Sequence, residues 1–241
     1  MADAKHFTCF VAVRGEKLRC LADIVSQTSR SASGASAGKS ADGRLRLLGI
    51  VVVANTRDAV DGATSAVLAA APRARVVRLH SDQSADERAA IMEGFRAASS
   101  VGLHESTTTT TTDEHDDDDE NGGRGQSLVV LLTTDACLPS IATGEAPLHA
   151  AALIQLDVPK VPNVPNAPTG STDRAAAAYR RRARAALGAG RERPAVSVVA
   201  ADERRIFEAA ARGIEVTEAP FDLHDVVVAR WRASVRGKDA P

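Results

Sequence analysis

Apolar residues fall into two rhythms along this chain. The first is a set of short continuous runs, clearest in Leu48-Gly-Ile-Val-Val-Val-Ala54, rich in β-branched side chains and bounded by polar residues. Runs of this length and make-up predict strands buried on both faces. They are expected at Phe7–Val13, Leu48–Ala54, Ala74–Leu79, Ser127–Leu132, Ala151–Leu156 and Ala195–Ala200. Between them the apolar positions recur at helical spacing, which predicts helices over Glu16–Gln27, Asp58–Ala71, Ser84–Ala98, Asp173–Leu187 and Asp202–Arg212. Ser84 followed by Glu87 is a capping-box signature, and Ile91, Met92 and Phe95 then share one face of the helix it opens. Buried strands alternating with helices require a sheet covered on both sides. The fold class expected is therefore α/β, a three-layer αβα arrangement around a mostly parallel sheet.

Three stretches break the pattern: 28–43, rich in Ser, Ala and Gly; 100–126, with a Thr run, an acidic run and Asn121-Gly-Gly-Arg-Gly125; and 160–172, rich in Pro and Asn. None has the apolar periodicity that would offset the entropy of ordering it, so each reads as a surface insertion. Without them the chain suits a single domain over residues 1–221, with 222–241 a C-terminal helical extension or tail. The first insertion ends in Gly34-Ala-Ser-Ala-Gly-Lys39-Ser40, which imitates a phosphate-binding loop. Three residues separate its glycines where four are needed, and no strand precedes it, so no phosphate site is expected there.

Composition narrows the class. Hydrophobic residues make up 44% of the 241-residue chain but aromatics only 3%, so the core must be built from small aliphatic side chains, which favours helices packed on a sheet. Net charge is −1, yet Asp113–Glu120 alone holds seven acids, which leaves the body of the chain basic and suited to facing nucleic acid. Cys9, Cys20 and Cys137 have no C-x-x-C spacing, so neither a zinc site nor a disulfide framework is expected, and Cys137 reads as a buried structural thiol. His104, His115 and the acidic run have no rigid element to set ligand geometry, so no metal site is expected. The first residues lack an apolar signal core, and no run approaches the roughly 18 apolar residues of a membrane span. A cytoplasmic protein without membrane association is the expectation.

In an open parallel sheet, chemistry sits in the loops at the carboxyl ends of the strands. Here those loops carry Asn55-Thr56-Arg57, His80-Ser-Asp82 followed by Glu87-Arg88, Thr133-Thr134-Asp135 and Asp157-Val-Pro159. Their order and spacing resemble the C-terminal RecA-like lobe of DEAD-box RNA helicases, from about residue 6 to 221. Glu16-Lys17-Leu18 and Leu21 look like the opening "E-K-L-x-x-L" helix, and Ile50-Val-Val-Val-Ala-Asn55-Thr56-Arg57 like "I-V-F-x-N-T-R". His80-Ser-Asp82 with Arg88, Phe95 and Arg96 resembles "H-G-D…Q-x-x-R…F-R". Thr134-Asp135 matches the start of "T-D-x-x-x-R-G-x-D", Asp157-Val-Pro159 is similar to "D-x-P", and Tyr179-Arg-Arg-Arg182 falls on "Y-x-H-R".

The resemblance implies RNA contact through Thr56, Arg57, Arg88, Thr134 and Asp135, residues that by chemistry alone would equally cap helices and turns. It implies a degenerate nucleotide site at Arg181, Arg182 and Arg184. The departures are as informative as the matches. The family's Arg-Gly-x-Asp falls on Pro139, Ser140, Ile141 and Ala142, and its two arginine fingers fall on Ala185 and Gly188. A one-residue deletion would put Arg184 on the first finger but leave Leu187 at the second. Phosphate loop and magnesium ligands belong to the N-terminal lobe, so the expectation is no catalytic residue and no cofactor in this chain alone, with ATP and magnesium entering only alongside such a lobe in trans. The expected role is an RNA- or ribonucleoprotein-binding pseudoenzyme module, the alternative being one half of a split helicase. A protein partner could also dock on the Arg180–Arg184 cluster or the acidic insertion. That cluster reads equally as a phosphate-binding group and as a solvated helix face.

Overall fold

The Leu48–Ala54 run is a strand, β2, with all seven residues buried. Its even-numbered side chains face one layer of helices and its odd-numbered ones the other, as a pleated strand in mid-sheet must. The computed structural model describes residues 4–34, 47–99, 128–160, 171–189, 193–220 and 223–235. Around β2 the chain lays down β1 (Lys5–Val11), α1 (Lys17–Gly34), α2 (Arg57–Ala70), β3 (Arg75–Leu79), α3 (Ala85–Ser99), β4 (Leu128–Thr134), β5 (Ala152–Gln155), α4 (Ser171–Leu187), β6 (Pro194–Ala200), α5 (Arg204–Ala210), β7 (Val216–Glu218) and α6 (Leu223–Val235). The seven strands form one sheet in the order β3-β4-β2-β5-β6-β1-β7, and every pairing is parallel. All carboxyl ends therefore lie along one edge.

The two faces are covered by different helices. On one, Leu21, Val25 and Ala32 of α1, Val60, Ala63 and Val67 of α2, and Val227 and Val228 of α6 pack on Ile50, Val52, Val130, Leu132 and Ile154. On the other, Phe95 of α3 and Ala183, Ala185, Ala186 and Leu187 of α4 pack on Val51, Val53, Leu131 and Leu153, while Phe207 and Ala210 of α5 meet Tyr179 and Val199. This is the expected three-layer α/β architecture. No helix among the described residues is long and apolar enough to cross a membrane.

The element boundaries differ from expectation where tertiary packing outweighs local composition. Residues 28–34 belong to α1 rather than to an insertion: Thr28 and Ala32 are fully buried, Thr28 Oγ1 donates back to the Ile24 carbonyl at 2.7 Å, and Ser31 Oγ donates to Asp225 of α6 at 3.1 Å. The Ser-rich composition reads as loop, but α6 gives that helix face something to bury against. The remainder of the Gly34–Ser40 motif, and with it His104, His115 and the acidic run, lies outside the described residues. Strand β1 starts earlier than expected, because Lys5 and His6 pair with Pro194 and Ala195 of β6, and stops earlier, because the Ala12 amide donates to Glu16 Oε2 at 3.0 Å and turns the chain towards α1. Helix α4 opens at Ser171, two residues inside the expected insertion. β7 is too short and too polar, Val-Thr-Glu, for its sequence to announce a strand.

Gly49 sets how closely α3 approaches the sheet. A Cβ there would lie 2.4 Å from Ser99 Cβ and 3.1 Å from Phe95 Cζ, whereas one on Gly94, in the same helix, would meet nothing within 4 Å. Gly49→Ala is expected to cost about 1–3 kcal/mol through overpacking. Gly94→Ala is expected to stabilise by about 0.5–1 kcal/mol through helix propensity. Urea unfolding of both variants checks this, and equal effects would show that α3 does not sit this close to β2.

Candidate functional site

Arg182 lies in α4 on the same buried face as Tyr179, one turn before it, and none of its side chain is exposed. Its placement begins with Tyr179, whose hydroxyl shares a 2.8 Å hydrogen bond with Ser197 Oγ of β6 and whose ring packs edge-on to Phe207. Burial pushes the Tyr179 phenol above its ordinary pKa, so it stays a neutral anchor. A guanidinium buried beside it must find partners for its donors, because an uncompensated buried charge costs several kcal/mol.

The carboxyl ends of three strands supply those partners. Arg182 Nε donates to Asp135 Oδ1 at 2.7 Å and Nη2 to Asp135 Oδ2, a bidentate fork onto the loop after β4. Nη2 also donates to Asn55 Oδ1 at 2.7 Å, just past β2, and Nη1 to the carbonyl of Asp157, just past β5. Asn55 is saturated in turn: its amide donates to Asp157 Oδ2 at 2.9 Å and its Nδ2 to the Val158 carbonyl at 2.7 Å.

A second buried cation extends the network. Lys17, 5% exposed, reaches from the first turn of α1 to the Leu156 carbonyl at 2.9 Å, Asp157 Oδ1 at 3.3 Å and Glu203 Oε2 at 2.5 Å. Glu203 also accepts from the Ala200 amide at the end of β6, and Arg14 bridges it to Asp202. The result is one connected network, running from Asp135 through Arg182, Asn55, Asp157 and Lys17 to Glu203, across the carboxyl edge from β4 to β6.

The residues expected to contact RNA lie on this edge. Thr56 caps α2, its Oγ1 accepting from the Ala59 amide at 3.2 Å. Arg57 pairs with Asp82 across the loops after β2 and β3, and the two side chains are 57% and 55% exposed. Arg88 Nη1 donates to the Gln83 carbonyl at 2.8 Å, beside the capping box in which Ser84 and Glu87 bond reciprocally. Hydrogen bonds from the Ser84 amide and hydroxyl hold the Glu87 carboxyl below its ordinary pKa. Thr134 Oγ1 sits 3.8 Å from Cys137 Sγ, and Asp135 is taken up by Arg182 with Arg181 Nη2 at 3.6 Å. The structure thus brings Thr56, Thr134 and Asp135 to the buried network and places Arg57 and Arg88 on its β3 side.

Of the three residues read as a degenerate nucleotide site, Arg181 and Arg184 are exposed and Arg182 is sequestered. Ala185 is fully buried with its carbonyl accepting from the Leu148 amide at 2.9 Å. Gly188 has φ +78°, and a Cβ there would lie 3.1 Å from His149 Nδ1. A longer side chain at Ala185 would have no room in the packed core, and any side chain at Gly188 would be strained by its left-handed backbone. Lys17 and Glu203 complete the network; in the sequence Lys17 stood out only within the opening-helix motif, not as a site residue, and Glu203 not at all. Glu203 follows β6 as Asn55 follows β2, and only that strand-end position could have marked it.

Among the described residues no group of three or more His, Cys, Asp and Glu side chains could hold a metal ion. The edge offers hydroxyls, amides and guanidinium groups, which suit a polyanion.

This edge belongs to a known fold. The chain superposes on the C-terminal domain of the DEAD-box protein Dbp5 with a TM-score of 0.55 at 18% identity, covering 96% of this chain and 97% of that one. It superposes on Escherichia coli DEAD-box protein SrmB bound to regulator of ribonuclease activity A at 0.52 and 14% identity, over 92% and 95% of the two chains. Against Saccharomyces cerevisiae Dbp5 bound to RNA and ADP BeF3 the TM-score is 0.56 at 16% identity, covering 96% of this chain but 45% of that one. No family model and no curated protein matches the sequence. The fold is the RecA-like fold of DEAD-box C-terminal domains, and the chain spans under half of the RNA-bound Dbp5 chain.

Removing the central cation should test the network. Arg182→Ala strands Asp135 and Asn55 and is expected to cost about 3–5 kcal/mol, whereas Arg181→Ala, at a 59% exposed side chain, should cost no more than about 1 kcal/mol. Chemical denaturation of the two variants against the parent checks both, and a small effect of Arg182→Ala would show that the network is not what holds the edge.

Proposed function

We propose that the chain acts as a DEAD-box-like C-terminal lobe that binds RNA or a ribonucleoprotein through the carboxyl edge of its sheet and has no ATPase or unwinding activity of its own. The observation that carries this reading is the fate of the arginine motif. Its one retained arginine, Arg182, is fully committed to Asp135, Asn55 and the Asp157 carbonyl, and the finger positions are a buried Ala185 and a left-handed Gly188. Arginine fingers contribute orders of magnitude to phosphoryl transfer, and no side chain stands in for them at these positions. The polar edge, by contrast, keeps Thr56, Arg57, Arg88 and Thr134.

Filter binding of single-stranded RNA tests it. Affinity should fall steeply between about 50 and 200 mM salt, and Arg57→Ala and Arg88→Ala should each weaken binding and reduce the salt slope by about one. Absence of binding at low salt would sink the proposal. One observation favours a second reading: the chain spans only 45% of RNA-bound Dbp5, so an N-terminal lobe in trans could complete a helicase. RNA-stimulated ATP hydrolysis on mixing the two lobes, with none from either alone, would select it. Purification of the native protein with and without ribonuclease separates both from a scaffold held by protein contacts through Arg180–Arg184.

A further inference from the structure

Cys9 and Cys20 look unrelated in the sequence, yet the fold turns the chain back on itself between them. β1 ends at Val11 and α1 begins at Lys17 after a short reversal through residues 12–16, of which Arg14–Glu16 form a 3-10 turn, so strand and helix run side by side in opposite directions. Cys9 lies two residues before the end of the strand, about 7 Å below its tip at 3.3 Å per residue. Cys20 lies three residues into the helix, about 4.5 Å below its start at 1.5 Å per residue, so the two stand near the same height. Pleating puts Cys9 on the strand face of Val11, and Val11 and Cys20 pack against the same core cluster. Cys9 pairs in register with Val198 of that same cluster, and each thiol acts on the other's titration more strongly than any other group does. Both residues are partly exposed, whereas Cys137 is buried.

We propose that Cys9 and Cys20 form a redox-sensitive dithiol that closes into an intramolecular disulfide, tying β1 to α1, when the chain meets a peroxide or a small-molecule disulfide. The roles of the two sulfurs follow from their surroundings. The neighbouring Cys9 thiol holds the Cys20 thiol below its ordinary pKa against the opposing effects of burial and Asp23, with Arg19 assisting. Cys20 in turn, burial and Glu218 of β7 push Cys9 up. Cys20 stands in the first turn of α1, where the helix N-terminus also favours a thiolate, so it is assigned as the attacking sulfur and Cys9 as the resolving thiol.

With hydrogen peroxide, the Cys20 thiolate displaces hydroxide from the O–O bond and becomes the sulfenic acid, and the hydroxide takes up a proton to leave as water. Cys9 sulfur then attacks the Cys20 sulfur, the S–S bond forms, and the sulfenic oxygen leaves as the second water, carrying the Cys9 proton. Two thiols are oxidised and one peroxide is reduced. With a small-molecule disulfide the same pair reacts by two exchanges, releasing two small thiols.

The full chain is treated with hydrogen peroxide at neutral pH, then denatured and alkylated. Alkylatable cysteines should fall from three to one, and a non-reduced tryptic digest should contain residues 6–14 joined to 20–30, released by dithiothreitol. A link to Cys137, a disulfide between two copies, or Cys20 oxidised further without a linked pair would overturn the proposal, and the parent digest decides this without any variant. The order of attack is read separately. Cys9→Ser should leave a dimedone adduct on Cys20, and Cys20→Ser should leave Cys9 unlabelled under the same exposure. Equal labelling of Cys9 in the second variant would overturn the assignment of Cys20 as the nucleophile.

Discussion

The sequestered Arg182 guanidinium is the constraint on which the functional edge depends. A charge removed from water is tolerated only when its donors are met, and here they are met by the loops after β2, β4 and β5 together. Each of those loops is thereby fixed relative to α4. Lys17 repeats the device one strand over, joining the β5 loop to α1 and to Glu203 beyond β6. The polar residues at the rim are mounted on these fixed points: Thr56 follows Asn55 directly, and Thr134 precedes Asp135. Their geometry is set by the buried charges behind them rather than by their own weak contacts.

The same commitment limits what Arg182 can do. Its fork faces the Asp135 carboxylate, so a phosphate could reach it only by displacing that carboxylate. Asp135 would then lose its bidentate partner and keep only the more distant Arg181, at 3.6 Å. A structural cation and a catalytic cation make opposite demands on one guanidinium, the first needing a permanent partner and the second an exchangeable one. In this chain the structural demand is met in full.

Most of the fold was legible because β2 is a continuous apolar run and β4 and β6 are almost so, broken only by Thr133, Thr134 and Ser197, a pattern that two covered faces explain. The end of α1 was not, because Thr28 to Gly34 has the composition of a loop and becomes helical through α6, some two hundred residues away in the chain. At the site, Asn55, Asp135 and Arg182 each stand in a motif that carries the family resemblance. Their union is not legible there, since the Arg182 to Asn55 bond spans 127 positions and nothing in either neighbourhood encodes it. Cys9 and Cys20 fail to read as a pair for the converse reason: they are close in sequence, but only a strand-to-helix reversal makes them neighbours.

Burial also divides the arginines into two kinds. Arg57 pairs with Asp82 where both are more than half exposed, and Arg78 with Asp61 likewise. An ion pair in that setting is worth about 0–1 kcal/mol, so an incoming phosphate can take the arginine at little cost and release its counterions as it does so. Arg182 offers no such exchange. Availability to a polyanion is thus graded by solvent access rather than by the number of contacts each guanidinium makes. On this edge it is lowest at Arg182, while Arg57 on the β3 side, Arg181 on α4 and Arg14 beside the β6 end each have a side chain more than half exposed.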